Sequence, residues 1–258
     1  MVKPMLIMKS ELFQILSRRF KLLLLLSGLA GGVSAYAQNE TPDIIIEQDT
    51  IAAVTPDSLA TDSAYIKKVL FIGDSMTGWM AERLNAYGEK NDFEVATIVW
   101  DGSTIKKWAA SPKLKDIISE QNPDAIFVSL GMNELFEANP ERNLNAAIEN
   151  LKEDFADIPL LWIGPPSWPG HSEGKTLNDW LEKELGAGNY FRSSDLDIPR
   201  QSKSNPHPDR NGIEVWIDDV VEWIPQNTDL KFKSLDPPLK GAMSRGSTFI
   251  YKRMKETL

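Results

Sequence analysis

Short apolar runs alternate with amphipathic stretches of helical length in the part of the chain that follows residue 66. The apolar runs are uninterrupted, which is typical of strands covered on both faces of a parallel sheet. They cover residues 69–72, 93–100, 125–130 and 160–164. The spacing of apolar residues predicts helices over residues 76–87, 113–121, 140–155 and 177–185, and a last helix that begins near residue 212. This alternation favours an α/β domain with three αβα layers around a doubly wound, mostly parallel sheet.

The first 37 residues have the layout of a secretory signal peptide. Basic residues precede an apolar stretch at 22–33, and the small-residue pattern Ala-Tyr-Ala follows at 35–37. About a dozen apolar residues are too few for a settled span of a hydrocarbon core about 30 Å thick. We therefore expect cleavage before Gln38, and the alternative is an uncleaved anchor.

The segment after the predicted signal peptide differs in composition from the rest of the chain. Residues 38–65 are rich in Asp, Thr and Ala without a sustained period, which predicts a flexible acidic and Thr-rich linker. The predicted domain then covers residues 66–226. Residues 227–258 form a basic C-terminal extension to which the sequence assigns no role.

Charge and composition exclude several classes of protein. The chain has 37 acidic and 28 basic residues and a net charge of -9, which argues against a nucleic-acid partner. It has no cysteine, which excludes a disulfide, a thiolate metal site, a cysteine nucleophile and a lipidated cysteine within this sequence, and we expect that the protein is not a lipoprotein. With two histidines, a His-rich metal centre is hard to build. We expect no metal and no organic cofactor, and nothing specifies a protein partner.

Four short polar blocks follow predicted strands or precede the last helix, where an α/β sheet places its ligand site. Ser75 stands at a strand-to-helix turn and is a candidate nucleophile. Gly102 would let a backbone N–H approach a ligand closely, and Asn133 offers an amide donor. His207 is a possible base. Each residue alone also fits a helix cap, a turn or an exposed loop, but together they supply a nucleophile, two oxyanion donors and a base.

This constellation resembles the SGNH hydrolases, also called the GDSL esterase and lipase superfamily, over about residues 69–224. The resemblance implies the same three-layer fold, with Ser75 as the nucleophile and His207 as the general base. It also implies an oxyanion hole formed by the N–H groups of Ser75 and Gly102 and by the Asn133 amide. No cofactor is implied.

The sequence departs from the family pattern at two positions. Glu134 stands where the family usually has Asp after the Asn, and both acids can orient a neighbouring loop. Ser204 stands where the family places Asp three residues before the His. Loss of that carboxylate leaves three alternatives: a backbone carbonyl orients His207, a carboxylate from elsewhere does so, or the protein keeps a binding pocket without turnover. The carboxylates nearest in sequence are Asp195, Asp197 and Asp209.

Tryptophans near the four blocks suggest the class of substrate. Trp79, Trp108 and Trp168 are candidate substrate contacts, as is His171, because aromatic faces at a pocket mouth commonly stack on sugar rings. We therefore expect an exported serine esterase, periplasmic or extracellular, that removes O-acetyl groups from carbohydrate. The alternatives are an O-acyltransferase that uses the same residues and a carbohydrate-binding protein that has lost turnover.

Overall fold

The computed structural model describes residues 65–168, 174–256 and 258. The predicted signal peptide, all of the predicted linker except Tyr65, and the candidate contact His171 lie outside the described residues. Within the part of the chain that is described, no helix is both long and apolar enough to cross a membrane.

Within the described residues, six strands form one parallel sheet, and two more form a separate antiparallel hairpin. In chain order the strands are β1 (Lys68–Gly73), β2 (Glu94–Trp100), β3 (Ala125–Ser129), β4 (Leu160–Ile163), β5 (Tyr190–Phe191), β6 (Arg200–Ser202), β7 (Asn205–Pro208) and β8 (Thr248–Lys252). The order across the sheet is β5-β4-β3-β1-β2-β8, and β6 pairs with β7. The chain therefore winds outward from β1 in both directions. The gap between the carboxyl ends of β1 and β3 is the switch point at which such sheets bind ligands.

The helices cover the two faces of this sheet. They are α1 (Ser75–Asn91), α2 (Ile105–Ala109), α3 (Leu114–Gln121), α4 (Pro140–Phe155), α5 (Gly174–Leu185) and α6 (Arg210–Asn227). The predicted helices are all present, and α4 has its predicted bounds because Pro140 occupies the first turn. Local sequence patterns did not indicate α2, β5, β8 or the β6–β7 hairpin.

Alternate side chains of β1 enter two separate cores. Leu70 and Ile72 lie in the core beneath α2, α3, α4 and α5, where they share a cluster with Ile148. Val69 and Phe71 lie in the core beneath α1 and α6. Because both faces are buried, the strand is apolar throughout, and each buried side chain of this size contributes about 1.5–3 kcal/mol to stability. The predicted three-layer αβα architecture is confirmed.

The segment after α6 is part of the folded domain rather than a separate extension. Its strand β8 pairs in parallel with β2 and extends the sheet. The Arg83 side chain of α1 is buried and holds this segment in place. Its Nε and Nη2 atoms each lie 2.8 Å from the Asp218 carboxylate of α6, and its Nη1 atom donates to Leu239 O at 2.9 Å and to Ala242 O at 3.1 Å. The predicted domain boundary at residue 226 is therefore wrong, because β8 belongs to the same sheet.

Candidate active site

Ser75 lies at the carboxyl end of β1, as the first residue of α1. Asp74 caps this helix, since its Oδ1 accepts a hydrogen bond of 2.9 Å from Met76 N. The residue before it must be glycine, because a Cβ on Gly73 would lie 2.1 Å from Ser129 O. The turn therefore holds the serine hydroxyl at the rim of the sheet. The Ser75 N–H lies in the first turn of α1, where backbone N–H groups have no acceptor within the helix.

His207 lies on β7, 132 residues further along the chain, and its ring contacts Ser75. The distance from His207 Nε2 to Ser75 Oγ is 2.9 Å, which is within hydrogen-bond range. Asp209 follows β7 and caps α6, because its Oδ1 accepts a bond of 2.8 Å from Gly212 N. The structure thus brings the predicted nucleophile and the predicted base together.

Asn205, which the sequence analysis did not single out, orients the His207 ring. Its Oδ1 lies 3.0 Å from His207 N and 2.7 Å from His207 Nδ1. A backbone N–H can only donate, so the side-chain atom that faces it is the amide oxygen. The same oxygen must then accept a hydrogen bond from Nδ1–H, and Nε2 keeps its lone pair for the Ser75 hydroxyl. This is the tautomer that a general base requires.

Neither a backbone carbonyl nor a carboxylate is the partner of His207 Nδ1, which sets aside two of the three alternatives for the missing aspartate. The third alternative, a pocket without turnover, concerns activity and is addressed by the rate measurements below. Ser204 Oγ lies 3.3 Å from Ser202 Oγ, Asp209 caps α6, and Asp195 lies 3.5 Å from the Arg192 guanidinium. The orienting group is a side-chain amide two residues before the histidine. The signal in the sequence was the i, i+2 spacing, which places two side chains on the same face of a strand.

The His207 ring is half-buried, and its surroundings favour the neutral form. Burial lowers the pKa of His207 below its usual value, Asp101 acts in the opposite direction, and the Arg200 guanidinium lowers the pKa further. Arg200 donates hydrogen bonds to Pro206 O and to Ser167 O, so it also ties the β6–β7 hairpin to the loop after β4. The imidazole is therefore available as a base at neutral pH.

Gly102 lies in a tight turn after β2, where its φ of +60° is a conformation that favours glycine. Ser103 N donates to Trp100 O at 3.0 Å and closes the turn. Among the described residues, the Gly102 N–H has no hydrogen-bond acceptor. It can therefore donate to a ligand at this strand end.

Asn133 connects the Gly102 turn to the turn that carries Ser75. It belongs to a 3₁₀ turn over Met132–Glu134, just after β3. Its Nδ2 donates to Ser103 O at 2.7 Å and lies 3.3 Å from Asp74 Oδ2. The second contact is long for a hydrogen bond, so this N–H is the one that can be shared with a ligand. The Asn133 amide thus contacts both the turn that carries Ser75 and the turn that carries Gly102.

Glu134 fixes the start of α2 beside the same turn. Its Oε1 accepts a hydrogen bond of 2.6 Å from Ile105 N, which is the loop-orienting contact expected of an acid at this position. Its Oε2 is buried and has no hydrogen-bond partner among the described residues. Burial is the main cause that raises the pKa of Glu134 to about 7.

Asp74 carries a similar shift, which makes the stability of the fold depend on pH. Burial raises the pKa of Asp74 from 3.8 to about 7, against the opposing effect of its hydrogen bond from Met76 N. The folded protein therefore holds more protons than the unfolded chain between about pH 4 and pH 7, and its free energy of unfolding falls as the pH rises through that window. Asp74→Asn keeps a capping side chain and removes the titration. We expect the difference in free energy of unfolding between about pH 5 and pH 8 to shrink by about 2 kcal/mol in urea denaturation.

The control for this prediction is Asp116→Asn, because the Asp116 side chain is 62% exposed and pairs with Lys113 on the surface of α3. This variant should keep the pH dependence of the wild type. Equal pH dependence in wild type and Asp74→Asn would contradict the assigned shift.

Of the predicted aromatic contacts, Trp79 lies beside His207, and Trp168 lies in the loop after β4. Trp79 follows Ser75 by one helical turn and is 42% exposed, and its ring centroid lies 6.0 Å from that of His207. Trp168 lies after β4, with its ring 6.3 Å from the exposed ring of Phe136. These rings are accessible to a ligand.

The prediction that Trp108 contacts substrate is wrong in this structure. The side chain is fully buried in the core, and its Nε1 donates to Ser103 Oγ at 2.8 Å. Its ring packs edge-on against Trp100 at 5.9 Å. The buried indole of Trp108 thus supports the Gly102 turn through its hydrogen bond to Ser103.

Residues 65–168, 174–256 and 258 contain no group of three or more His, Cys, Asp or Glu side chains placed to hold a metal ion.

Comparison with known proteins finds similar solved structures, whereas no protein-family model and no curated protein sequence matches the chain. The psychrotrophic esterase EstA of Pseudoalteromonas sp. is 15% identical, with 62% of this chain and 97% of the esterase covered and a TM-score of 0.46. A GDSL-like lipase of Bacteroides thetaiotaomicron is 17% identical, with 62% and 88% covered and a TM-score of 0.45. A family 3 carbohydrate esterase of Clostridium thermocellum is 16% identical, with 62% and 97% covered and a TM-score of 0.44. At these identities the residue roles rest on the geometry of this chain.

Proposed function

We propose that the protein is a serine esterase of the SGNH type. The observation that carries the proposal is the contact of 2.9 Å between Ser75 Oγ and His207 Nε2, with the opposite ring nitrogen bound to Asn205. A hydroxyl, a base with a free lone pair and a group that fixes the tautomer are the three parts of a nucleophilic triad. The triad is Ser75-His207-Asn205.

In the acylation step, His207 Nε2 accepts the proton of the Ser75 hydroxyl while Oγ attacks the carbonyl carbon of the ester. The Oγ–C bond forms, and the carbonyl electron pair moves onto oxygen to give a tetrahedral oxyanion. His207 then returns the proton to the alkoxy oxygen as the bond from carbon to that oxygen breaks. The alcohol leaves, and the acyl group stays on Ser75.

In the deacylation step, water takes the place of the alcohol. His207 accepts a proton from water as the water oxygen attacks the acyl carbon, and Ser75 recovers its proton when its Oγ–C bond breaks. The free acid is released. A sugar hydroxyl in place of water would give an O-acyltransferase, so the reaction product distinguishes the two activities.

The oxyanion is stabilised by the N–H groups of Ser75 and Gly102 and by the Asn133 amide. The first turn of α1 adds its partial positive charge at the same place. One such donor typically contributes about 10²- to 10³-fold to kcat. Asn133 Nδ2 reaches the oxyanion through the N–H group that faces Asp74 in the free protein.

The proposed substrate is an O-acetylated carbohydrate, and the proposed location is outside the cytoplasm, after cleavage before Gln38. The exposed ring of Trp79 beside His207 and the Phe136–Trp168 pair support a sugar ring at the site. The proposed partner is thus an ester of small-molecule or polysaccharide type.

An organophosphonate that mimics an ester tests the nucleophile directly. We expect p-nitrophenyl ethylphosphonate to release p-nitrophenol and to leave a phosphonyl group on Ser75, detected by mass spectrometry of its peptide. The same preparation should release acetate from p-nitrophenyl acetate and from acetylated xylan. The urea-unfolded protein is the control and should not be labelled, because its Ser75 has no base nearby. Absence of both the adduct and acetate release would contradict the proposed function.

A further inference from the structure

The side chain of Met254 lies directly against Gly102, the proposed oxyanion donor. A Cβ built on Gly102 would lie 2.5 Å from Met254 Cε, 3.0 Å from Cγ and 3.3 Å from Sδ. The thioether thus occupies the space that any other residue at position 102 would need. Met254 belongs to the C-terminal segment to which the sequence assigned no role.

The backbone on both sides of Met254 is anchored to the domain. Two residues earlier, Lys252 pairs with Trp100 at the end of β8, and its carbonyl oxygen accepts a hydrogen bond of 2.8 Å from Asp101 N. Four residues later, the Leu258 side chain is buried in the core, and Leu258 O accepts a bond of 3.0 Å from Ser111 Oγ. The chain therefore fixes Met254 above the Gly102 turn, although the side chain itself is 57% exposed.

In the tetrahedral intermediate of the proposed mechanism, three of the four substituents have assigned positions. Its carbon carries Ser75 Oγ, the oxyanion, the alkoxy group and the acyl group. The oxyanion faces the Gly102 N–H, and the alkoxy oxygen must face His207 Nε2 to receive the proton. The acyl group takes the remaining direction, away from His207, and Met254 is the side chain that covers the Gly102 turn.

Resting on the proposed function, we propose that Met254 closes the acyl side of the site and restricts the enzyme to short acyl groups such as acetyl. The thioether gives an apolar contact to the acetyl methyl group and leaves no room for a longer chain. The C-terminal segment is thus a specificity determinant of the site. Acetate esters should therefore be hydrolysed faster than esters with longer acyl chains.

Rates on p-nitrophenyl acetate, butyrate and hexanoate test this proposal in wild type and in Met254→Ala. Truncation opens the acyl side, so we expect the ratio of kcat/KM for hexanoate over acetate to rise about tenfold, in the range that a few methylene groups contribute in an apolar pocket. Met254→Leu conserves the volume and should keep the ratio within about twofold. Leu239→Ala is the matched control, because Leu239 is an apolar side chain of the same segment that is 86% exposed. It should leave the ratio unchanged.

Two results would overturn the proposal, and they are distinguishable. Hydrolysis that depends on Ser75 but has the same chain-length ratio in wild type and Met254→Ala would overturn the role of Met254 alone. Absence of Ser75-dependent hydrolysis for every ester would overturn the proposed function and this inference with it. Melting curves by circular dichroism of Met254→Ala and Met254→Leu should match that of the wild type, because the side chain is largely exposed.

Discussion

Ser75→Ala is expected to lower kcat for p-nitrophenyl acetate by at least ~10³-fold, in the range seen when a serine nucleophile is removed. The substitution removes the atom that forms the acyl bond and leaves the base and the oxyanion donors in place. The residual rate should approach that of water attack assisted by the oxyanion hole. Initial rates on p-nitrophenyl acetate, with acetate measured in parallel, give the comparison.

A matched serine elsewhere in the chain controls for nonspecific effects. Ser119 lies exposed on α3, so Ser119→Ala should have the rate of the wild type. Phosphonate labelling should disappear in Ser75→Ala and persist in Ser119→Ala. A rate in Ser75→Ala that equals the wild-type rate would show that esterase activity in the preparation arises elsewhere.

The central part of the fold could be predicted from the sequence because its signals are local. The apolar run at the start of the domain is β1, and the side chains of Val69 and Leu70 do enter opposite cores. Pro140 marks the start of α4 because its fixed φ suits a first helical turn. Buried parallel strands and capped helices thus leave patterns within a few residues of sequence, and such patterns also located Ser75 and His207.

The missed elements are stabilised by contacts between distant parts of the chain. Strand β8 is five residues long, has exposed Phe249 and Tyr251 side chains, and is defined by pairing with β2 about 150 residues earlier. Trp108 lies shortly after the Gly102 block in sequence, but it belongs to α2, and its hydrogen bond to Ser103 Oγ accompanies an indole that lies in the core. Neither the partner strand nor the direction of an indole can be derived from local periodicity.

The orienting group of His207 was missed for a different reason. The family pattern directs attention to position 204, where a carboxylate is expected three residues before the histidine. Here the turn of the β6–β7 hairpin places position 204 outside, where Ser204 contacts Ser202, and places Asn205 beside the imidazole. The Asn205 amide, two residues before the histidine, orients the imidazole as a carboxylate would, but it carries no charge. The sequence contained this residue, but its role depends on the register of a hairpin that was not predicted.

Asn205→Ala is expected to lower kcat by about 10²-fold, less than the roughly 10⁴-fold lost when the triad aspartate of serine proteases is amidated. Amidation there forces the wrong tautomer, whereas alanine leaves the ring free to adopt either tautomer. The variant removes the acceptor for Nδ1–H and for His207 N, whose distances to Asn205 Oδ1 are 2.7 Å and 3.0 Å. KM should change little, because Asn205 contacts Nδ1, whereas Ser75 contacts the opposite ring nitrogen. Full progress curves on p-nitrophenyl acetate separate kcat from KM.

Asn205→Asp distinguishes an electrostatic role from a structural one, since it keeps the shape of the side chain and adds a charge. The carboxylate would favour the imidazolium form and so raise the pKa of His207, which burial lowers in the wild type. Because the neutral ring is the base, the acid limb of the profile of kcat/KM against pH should move to higher pH. At a pH above that limb, kcat should rise by about tenfold, because the added charge stabilises the imidazolium in the transition state. Asn145→Asp, on the exposed face of α4, adds the same charge far from the site and should leave the profile unchanged. An unshifted acid limb in Asn205→Asp would mean that Asn205 does not contact His207 during turnover.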